Sequence, residues 1–241
     1  MYYQIFNNEI HFRFLDLSES EQFSDFFLKF ISQSELKKSQ RLCTEKLVSD
    51  SICSKAVLRC ILSGYINLSP AKIEFTYNRY GKPYLKDNHK IPGIFFNMSD
   101  SGGFVFYGIS KDCEIGVDIE KIRPVVSLER LARRQLTQNE LMIFQKQHEN
   151  KKSGFFFKYW TRKESFLKAI GKGLSIPMKT IDVSGAPKKP VIFANDLTSK
   201  GKILFTEDIY FNESFSCSFS SVKKPEKTEL FKHTLKDFLG L

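Results

Sequence analysis

Between Trp160 and Gly173 the chain reads W-T-R-K-E-S-F-L-K-A-I-G-K-G, a run whose spacing favours a helix over any other local structure. Trp160, Glu164 and Lys168 recur every fourth residue and therefore share one helix face. Arg162 and Lys163 lie to the side, while Phe166, Leu167 and Ile170 form an apolar stripe for burial. Gly171 and Gly173 stop the helix, with Lys168 and Lys172 near the carbonyl end, where cations are favoured. Taken by themselves, Glu164 and Lys168 make an exposed i,i+4 ion pair worth about 0.3–0.5 kcal/mol.

A second stretch changes that balance. Glu114–Lys121 reads E-I-G-V-D-I-E-K, with Ile115, Val117 and Ile119 alternating with Gly116, Asp118 and Glu120. Period two is a strand pattern, so Asp118 and Glu120 project from the same face. Like charges side by side repel unless something positive lies between them. Mg²⁺, which takes one or two carboxylates together with phosphate oxygens, is a natural partner. A polar strand face turned to solvent reads the same pattern equally well.

Bulk properties bound the possibilities further. A chain of 241 residues makes one large domain or two small ones, and its 24 Phe and 9 Tyr are ample for a core. No apolar run approaches the roughly 18–20 residues a membrane span needs. The start, M-Y-Y-Q-I-F-N-N-E-I, lacks the basic region and apolar core of a secretory signal. Five cysteines (Cys43, Cys53, Cys60, Cys113 and Cys217) include no C-x-x-C pair, and the four histidines are scattered. Reduced thiols, a cytoplasmic protein and no zinc site are expected. The formal net charge of +10 points to a polyanionic partner. Nucleic acid would serve, yet the basic residues are spread along the chain, with no zinc-finger spacing and no RNP-like aromatic motif. A charged nucleotide and an acidic protein partner account for the same charge.

Local patterns fill in the order. Tyr2–Phe6 and Ile10–Leu15 around Asn7-Asn8 suggest a hairpin. Ser18 with Glu21 suggests a capped helix through about Phe30. One long helix is predicted from Ser34 to about Ser63, with Gly64 as its stop. Strands are predicted at Lys72–Tyr77, Ile94–Met98, Phe104–Ile109, Ile181–Val183, Lys202–Phe205, Ile209–Phe211 and Phe215–Val222. A helical region opens at Ser127, and within it Thr137 and Glu140 have capping-box spacing. From Lys223 the chain is polar, then weakly helical over Glu229–Leu239, and a peripheral tail is expected.

G-V-D-I-E-K and W-T-R-K-E-S-F-L-K-A-I-G-K-G-L, with Y-G-K-P-Y at Tyr80–Tyr84 and F-N-M-S-D-S-G at Phe96–Gly102, carry a resemblance. In this order and spacing they resemble the phosphopantetheinyl transferases, in particular the long pseudodimeric type that activates peptide and polyketide synthetases. The resemblance implies an α+β fold of two similar halves with a cofactor cleft between them. Residues 1–112 would be a coenzyme A-binding N-terminal half, 113–222 a C-terminal half with the metal and catalytic residues, and 223–241 a tail. It implies Mg²⁺-dependent transfer of the 4′-phosphopantetheine arm of coenzyme A to a serine of an acyl or peptidyl carrier protein. Asp118, Glu120 and Glu164 would hold the metal. Glu164 would also accept the serine proton, and Lys168 would bind phosphate and assist the leaving group. Lys38, Lys46, Gly81, Lys82, Pro83, Ser99, Asp100, Asp118 and Lys168 would contact coenzyme A. Trp160 would pack, and Lys163 would face phosphate or solvent. A monomer that binds neither nucleic acid nor membrane is expected.

Some positions depart from the family pattern. Asp100 stands where the family usually has a histidine that contacts phosphate, and an ionised aspartate repels phosphate. Asp50 falls where an arginine is frequent, and Glu35 where a lysine is common. Lys46, one turn before Asp50, could substitute for that arginine. Glu140 matches a family acid near the metal, although capping explains it equally well. Two alternatives follow: a basic nucleic-acid-binding protein, and a catalytically weak relative that only binds carrier proteins.

Overall fold

The computed structural model describes residues 3–86, 93–193 and 202–240. The first half of the chain runs β1 (Glu9–Asp16), α1 (Ser20–Phe27), α2 (Gln33–Ser39), α3 (Glu45–Ile66), β2 (Phe75–Tyr77), β3 (Pro83–Leu85), β4 (Ile94–Ser101) and β5 (Phe104–Lys111). The rest runs β6 (Ile115–Lys121), α4 (Leu128–Gln135), α5 (Gln138–Gln145), α6 (Glu149–Ile170), β7 (Val191–Phe193), β8 (Lys202–Asp208), β9 (Phe215–Ser221) and β10 (Lys227–His233). The fold is α+β. One four-stranded sheet has the order β10-β1-β5-β4, a second has β6-β9-β8-β7, and β2 pairs with β3.

Strand alternation explains how the sheets are layered. Along β5, Val105, Tyr107 and Ile109 join Ala56, Val57 and Ile61 of α3 in one core, while Phe106 faces the other way. There Phe106 meets Ile10, Phe12 and Phe14 of β1, Ile115, Val117 and Ile119 of β6, and Phe219 of β9. The two sheets thus share an aromatic layer, in which the Phe14 and Phe106 rings stack at 4.5 Å. Helix α6 lies over the second sheet with its own core around Phe156, Phe166 and Leu167. Each large sheet therefore has a 22-residue helix on one face.

Several local expectations are corrected. The long helix is two: α2 ends at Ser39, and α3 starts at Glu45 behind Thr44, whose side chain accepts from the Leu47 amide. Gly64 lies inside α3, which Asn67 ends in a left-handed conformation at φ 51°. Ser18 does not cap α1, whose N-cap is Glu19 with no side-chain bond. Residues 3–6 are not a strand (Tyr2 lies outside the described residues), and neither are Ile181–Val183 and Ile209–Phe211. Thr137 and Glu140 do form the capping box.

The largest correction concerns residues 223–240. Lys227–His233 is a strand parallel to β1, from Glu9↔Lys227 to Leu15↔His233. Arg13, fully buried, is held there: His233 Nε2 lies 2.9 Å from Nη1, Nη2 donates to Tyr65 Oη at 3.1 Å, and the rings of Tyr3 and Phe231 cover it. Leu235 and Phe238 then fold back into the α3 core. Phe238→Ala should accordingly lower stability by about 3–5 kcal/mol, the usual result of emptying a buried phenylalanine site. A change near zero in chemical denaturation would mean that the segment is peripheral after all.

Candidate active site

Strand β6 and helix α6 meet where Gly116 leaves room. A Cβ at 116 would collide with the Ser165 carbonyl oxygen and the Ala169 amide nitrogen, both backbone atoms of α6. The odd residues of β6 fill the aromatic layer, so Gly116, Asp118 and Glu120 face α6. Helical spacing brings Glu164 and Lys168 over the same strand face. Gly171, with φ 69°, ends α6 in the left-handed region, and its carbonyl accepts from Asn78 Nδ2 at 2.7 Å.

Asp118 is the centre of this arrangement. It is buried, with 3 % of its surface exposed. Its Oδ1 accepts from Lys168 Nζ at 2.7 Å and from Ser99 Oγ at 2.8 Å, and Lys168 also donates to Ser99 Oγ at 2.8 Å. Its Oδ2 is buried and has no hydrogen-bond partner among the described residues. Glu120 accepts from Ser101 Oγ at 3.0 Å. Asn97 Oδ1 accepts from the Val117 amide at 2.9 Å. Asn97, Ser99 and Ser101 alternate along β4 and together form a polar ladder to β6, joining the edges of two different sheets. The sequence reading included Ser99 and missed the other two. Their period-two spacing was the available signal.

The remaining predicted residues divide into two groups. Lys82 does not face open space: its ammonium is buried against Glu114 and the carbonyls of Ile115 and Ala169, tying the Tyr80–Tyr84 turn to β6 and α6. Lys46 is likewise committed to Asp50 Oδ1, Ser20 Oγ and the Leu17 carbonyl, each at 2.7 Å. Asp50 and Glu35 are therefore not bare charges, since Glu35 is buried in the α2 capping box and paired with Arg59 at 2.7 Å. Lys163 faces neither phosphate nor solvent, because it forms a fully buried pair with Glu140. Glu140 also accepts from the Thr137 and Val183 amides at 2.8 Å, so it belongs to the core and not to the Asp118 centre. Lys38, Gly81 and Asp100 are exposed and Pro83 is half-buried, with Lys38 Nζ 5.1 Å from the Tyr77 ring centre. Trp160 packs beside Phe156 as expected.

This architecture has known counterparts. The sequence profile of the 4′-phosphopantetheinyl transferase superfamily matches residues 114–220, and that of the 4′-phosphopantetheinyl transferase N-terminal region matches residues 18–110. The chain is 30 % identical over 186 residues to the 4′-phosphopantetheinyl transferase HetI of Nostoc sp., covering 77 % of this chain and 78 % of the relative. It is 31 % identical over 170 residues to Sfp of Bacillus subtilis, with 70 % and 73 % covered. With gsp of Aneurinibacillus migulanus the identity is 28 % over 223 residues, covering 91 % and 84 %. The chain belongs to the 4′-phosphopantetheinyl transferase superfamily. It is a transferase, and the two stretches that suggested this lie in β6 and α6.

The electrostatics of the transferase follow from crowding three acids beside one lysine. Burial pushes the Asp118 carboxyl up against the opposing pull of Lys168 and Ser99. Burial also raises Glu120, and the Asp118 charge adds to it. Glu164 is pushed up to about 7, first by burial and then by the charge of Asp118, with Lys168 opposing and Glu120 contributing. Such a carboxyl stabilises the fold fully below its unfolded value, near 4.5, and loses that contribution as pH rises through about 7. Glu164→Gln should therefore melt at a higher temperature than the unsubstituted protein at pH 8 in metal-free buffer. The difference should close near pH 4. Equal melting at both pH values would show that Glu164 does not feel its neighbours.

Proposed function

We propose that the transferase moves the 4′-phosphopantetheine arm of coenzyme A to a serine of an acyl or peptidyl carrier protein at the Asp118–Lys168 centre. The carrying observation is Asp118, buried with one oxygen held by Lys168 and Ser99 and the other without a partner among the described residues. Burying an unsatisfied carboxylate oxygen costs about 1–3 kcal/mol or more, so a ligand that satisfies it is the natural reading. Among the described residues, no three acidic, histidine or cysteine side chains form a ready cage for a metal. Mg²⁺ needs none, since it keeps several waters and takes one or two carboxylates beside substrate phosphates. Asp118, Glu120 and Glu164 fit that demand, because a dication among them offsets the burial that raises all three and the Asp118 charge that raises the two glutamates further. When bound, Mg²⁺ would neutralise charge on the pyrophosphate.

The side chains divide the remaining work. The serine Oγ forms a bond to the pantetheine-side phosphorus while the phosphoanhydride P–O bond breaks and 3′,5′-ADP departs. A serine hydroxyl is a poor nucleophile at neutral pH, and Glu164 is the acid placed to orient it and to take its proton directly or through water, with a basicity that falls below its metal-free value of about 7 once a dication is bound. Lys168 supplies a fixed positive charge for the leaving phosphate. Ser99 holds both Lys168 and Asp118 in place. Lys38, Gly81, Pro83 and Asp100, at the exposed rim, are read as contacts to the nucleotide. The chain is read as two halves meeting at residue 112, where Asp112 turns with φ 65°. Both sides of the cleft then lie in one polypeptide, which fits a monomer. Free cysteines and the absence of a long apolar helix among the described residues fit a cytoplasmic enzyme.

Intact-mass spectrometry of an apo carrier protein with coenzyme A and Mg²⁺ tests this reading. A phosphopantetheine-sized gain is expected, abolished by EDTA and reduced at least about a hundredfold in Asp118→Ala. Full turnover in Asp118→Ala, or with metal removed, would sink the proposed centre.

A further inference from the structure

The two acids of β6 are held alike. Asp118 takes both of its hydrogen bonds on Oδ1, one of them from Ser99 Oγ, and its Oδ2 has no partner among the described residues. Glu120 accepts on Oε2, from Ser101 Oγ at 3.0 Å. Its nearest cation, Arg123 Nη1 at 3.9 Å, approaches the same oxygen. Among the described residues no hydrogen bond reaches Oε1. Each acid thus gives one oxygen to a serine of β4 and keeps the other open. The acids stand on one sheet and their hydroxyl donors on the other.

Ser101 is itself fixed in place. Its Oγ accepts from the Lys121 amide at 3.1 Å. A serine hydroxyl has a single proton, and here that proton goes to Glu120. The turn that follows is seated against β6 and β9. Gly102 has φ 58°, and a Cβ there would lie 2.8 Å from Lys121 Cδ and 3.1 Å from Phe215 Cε1. The hydroxyl therefore cannot follow a wandering carboxylate. Without it, the half-buried Glu120 would keep one recorded side-chain partner, the exposed Arg123. A long acidic side chain held only there regains most of its rotamer freedom.

We propose that Ser101 is a positioning residue for Glu120: it ties Oε2 to β4 and so keeps Oε1 available to the divalent cation. The inference rests on the reading of Asp118, Glu120 and Glu164 as the residues that hold the metal. Ser101 acts through the carboxylate and has no role of its own in the chemistry. Partners of this outer kind orient a ligand, and losing one typically weakens metal binding about 10- to 100-fold. The cation site is then completed across the contact between β4 and β6, with its acids on one strand and the groups that aim them on the other.

Titration of the full chain with Mn²⁺ in the presence of coenzyme A, with free Mn²⁺ counted by electron paramagnetic resonance, tests it. Turnover of an apo carrier protein against Mg²⁺ concentration is measured alongside. Ser101→Ala should bind Mn²⁺ about 10- to 100-fold more weakly than the unsubstituted protein. Ser101→Thr, which keeps the hydroxyl, should restore the affinity. Turnover of Ser101→Ala should climb back as Mg²⁺ is raised, which places the loss in the metal constant. Equal Mn²⁺ affinity in Ser101→Ala overturns the proposal, and early melting of that variant with unchanged affinity would show a merely structural serine. A turnover loss that Mg²⁺ does not recover overturns it as well. Failure of the unsubstituted protein to bind Mn²⁺ overturns the metal reading and the proposal with it. Should Ser101→Ala not fold, Ser101→Cys, close in size and a weaker donor, must still weaken Mn²⁺ binding for the proposal to stand.

Discussion

With no side chain at 116, β6 and α6 come into backbone contact, and the site depends on that closeness. The Ser165 carbonyl and the Ala169 amide occupy the space that any Cβ would need. Moving the helix out by even one methyl diameter would take Lys168 off Asp118 and leave a buried carboxylate without a cation. Breaking a buried pair in that way costs about 3–5 kcal/mol, which exceeds what most other single contacts contribute. The glycine thus fixes a distance on which both stability and chemistry rest. The far side of β6 meets the same demand differently, with Ile115, Val117 and Ile119 wedged into the aromatic layer between the sheets.

The β6 and α6 elements were legible because their signals are local. Alternation over seven residues gives the strand and its two faces, and fourfold spacing ended by Gly171 gives the helix. The capping box at Thr137 was legible for the same reason. What could not be read is what depends on distant partners. The stretch from 227 to 238 has apolar residues at 230, 231, 235 and 238, which suit a helix locally, yet its first part, β10, pairs in parallel with the first strand of the chain. The roles of the lysines were hidden in the same way. Lys82 finds Glu114, and Lys163 finds Glu140, only after the chain has folded. A basic residue in a motif shows that a positive charge is present, and leaves open whether that charge is already neutralised.

That distinction changes the meaning of the net charge. Much of the +10 is surface charge, but near the site the cations are used in pairs that hold elements together. Lys46 ties α3 to the end of β1 through the Leu17 carbonyl, and Arg59 ties α3 to α2. Asp50 and Glu35, which looked like obstacles to an anionic ligand, are the counterions of these straps. The acids that remain in excess are the ones beside Lys168, where that ammonium and the exposed Arg123, 3.9 Å from Glu120, meet three carboxyls.

An uneven charge of this kind has a thermodynamic consequence. Burial raises the cost of ionising Asp118, Glu120 and Glu164, the charge of Asp118 raises it further for the two glutamates, and the buried Oδ2 of Asp118 loses water without gaining a hydrogen bond among the described residues. A fold selected only for stability would replace at least one of them. The aromatic layer packs behind β6 opposite the centre, so the repulsion cannot relax by moving that strand. Repulsion that cannot relax is available to any positively charged ligand that enters. In this sense the repulsion among the three carboxyls and the affinity of the centre for a cation are one quantity seen from two sides.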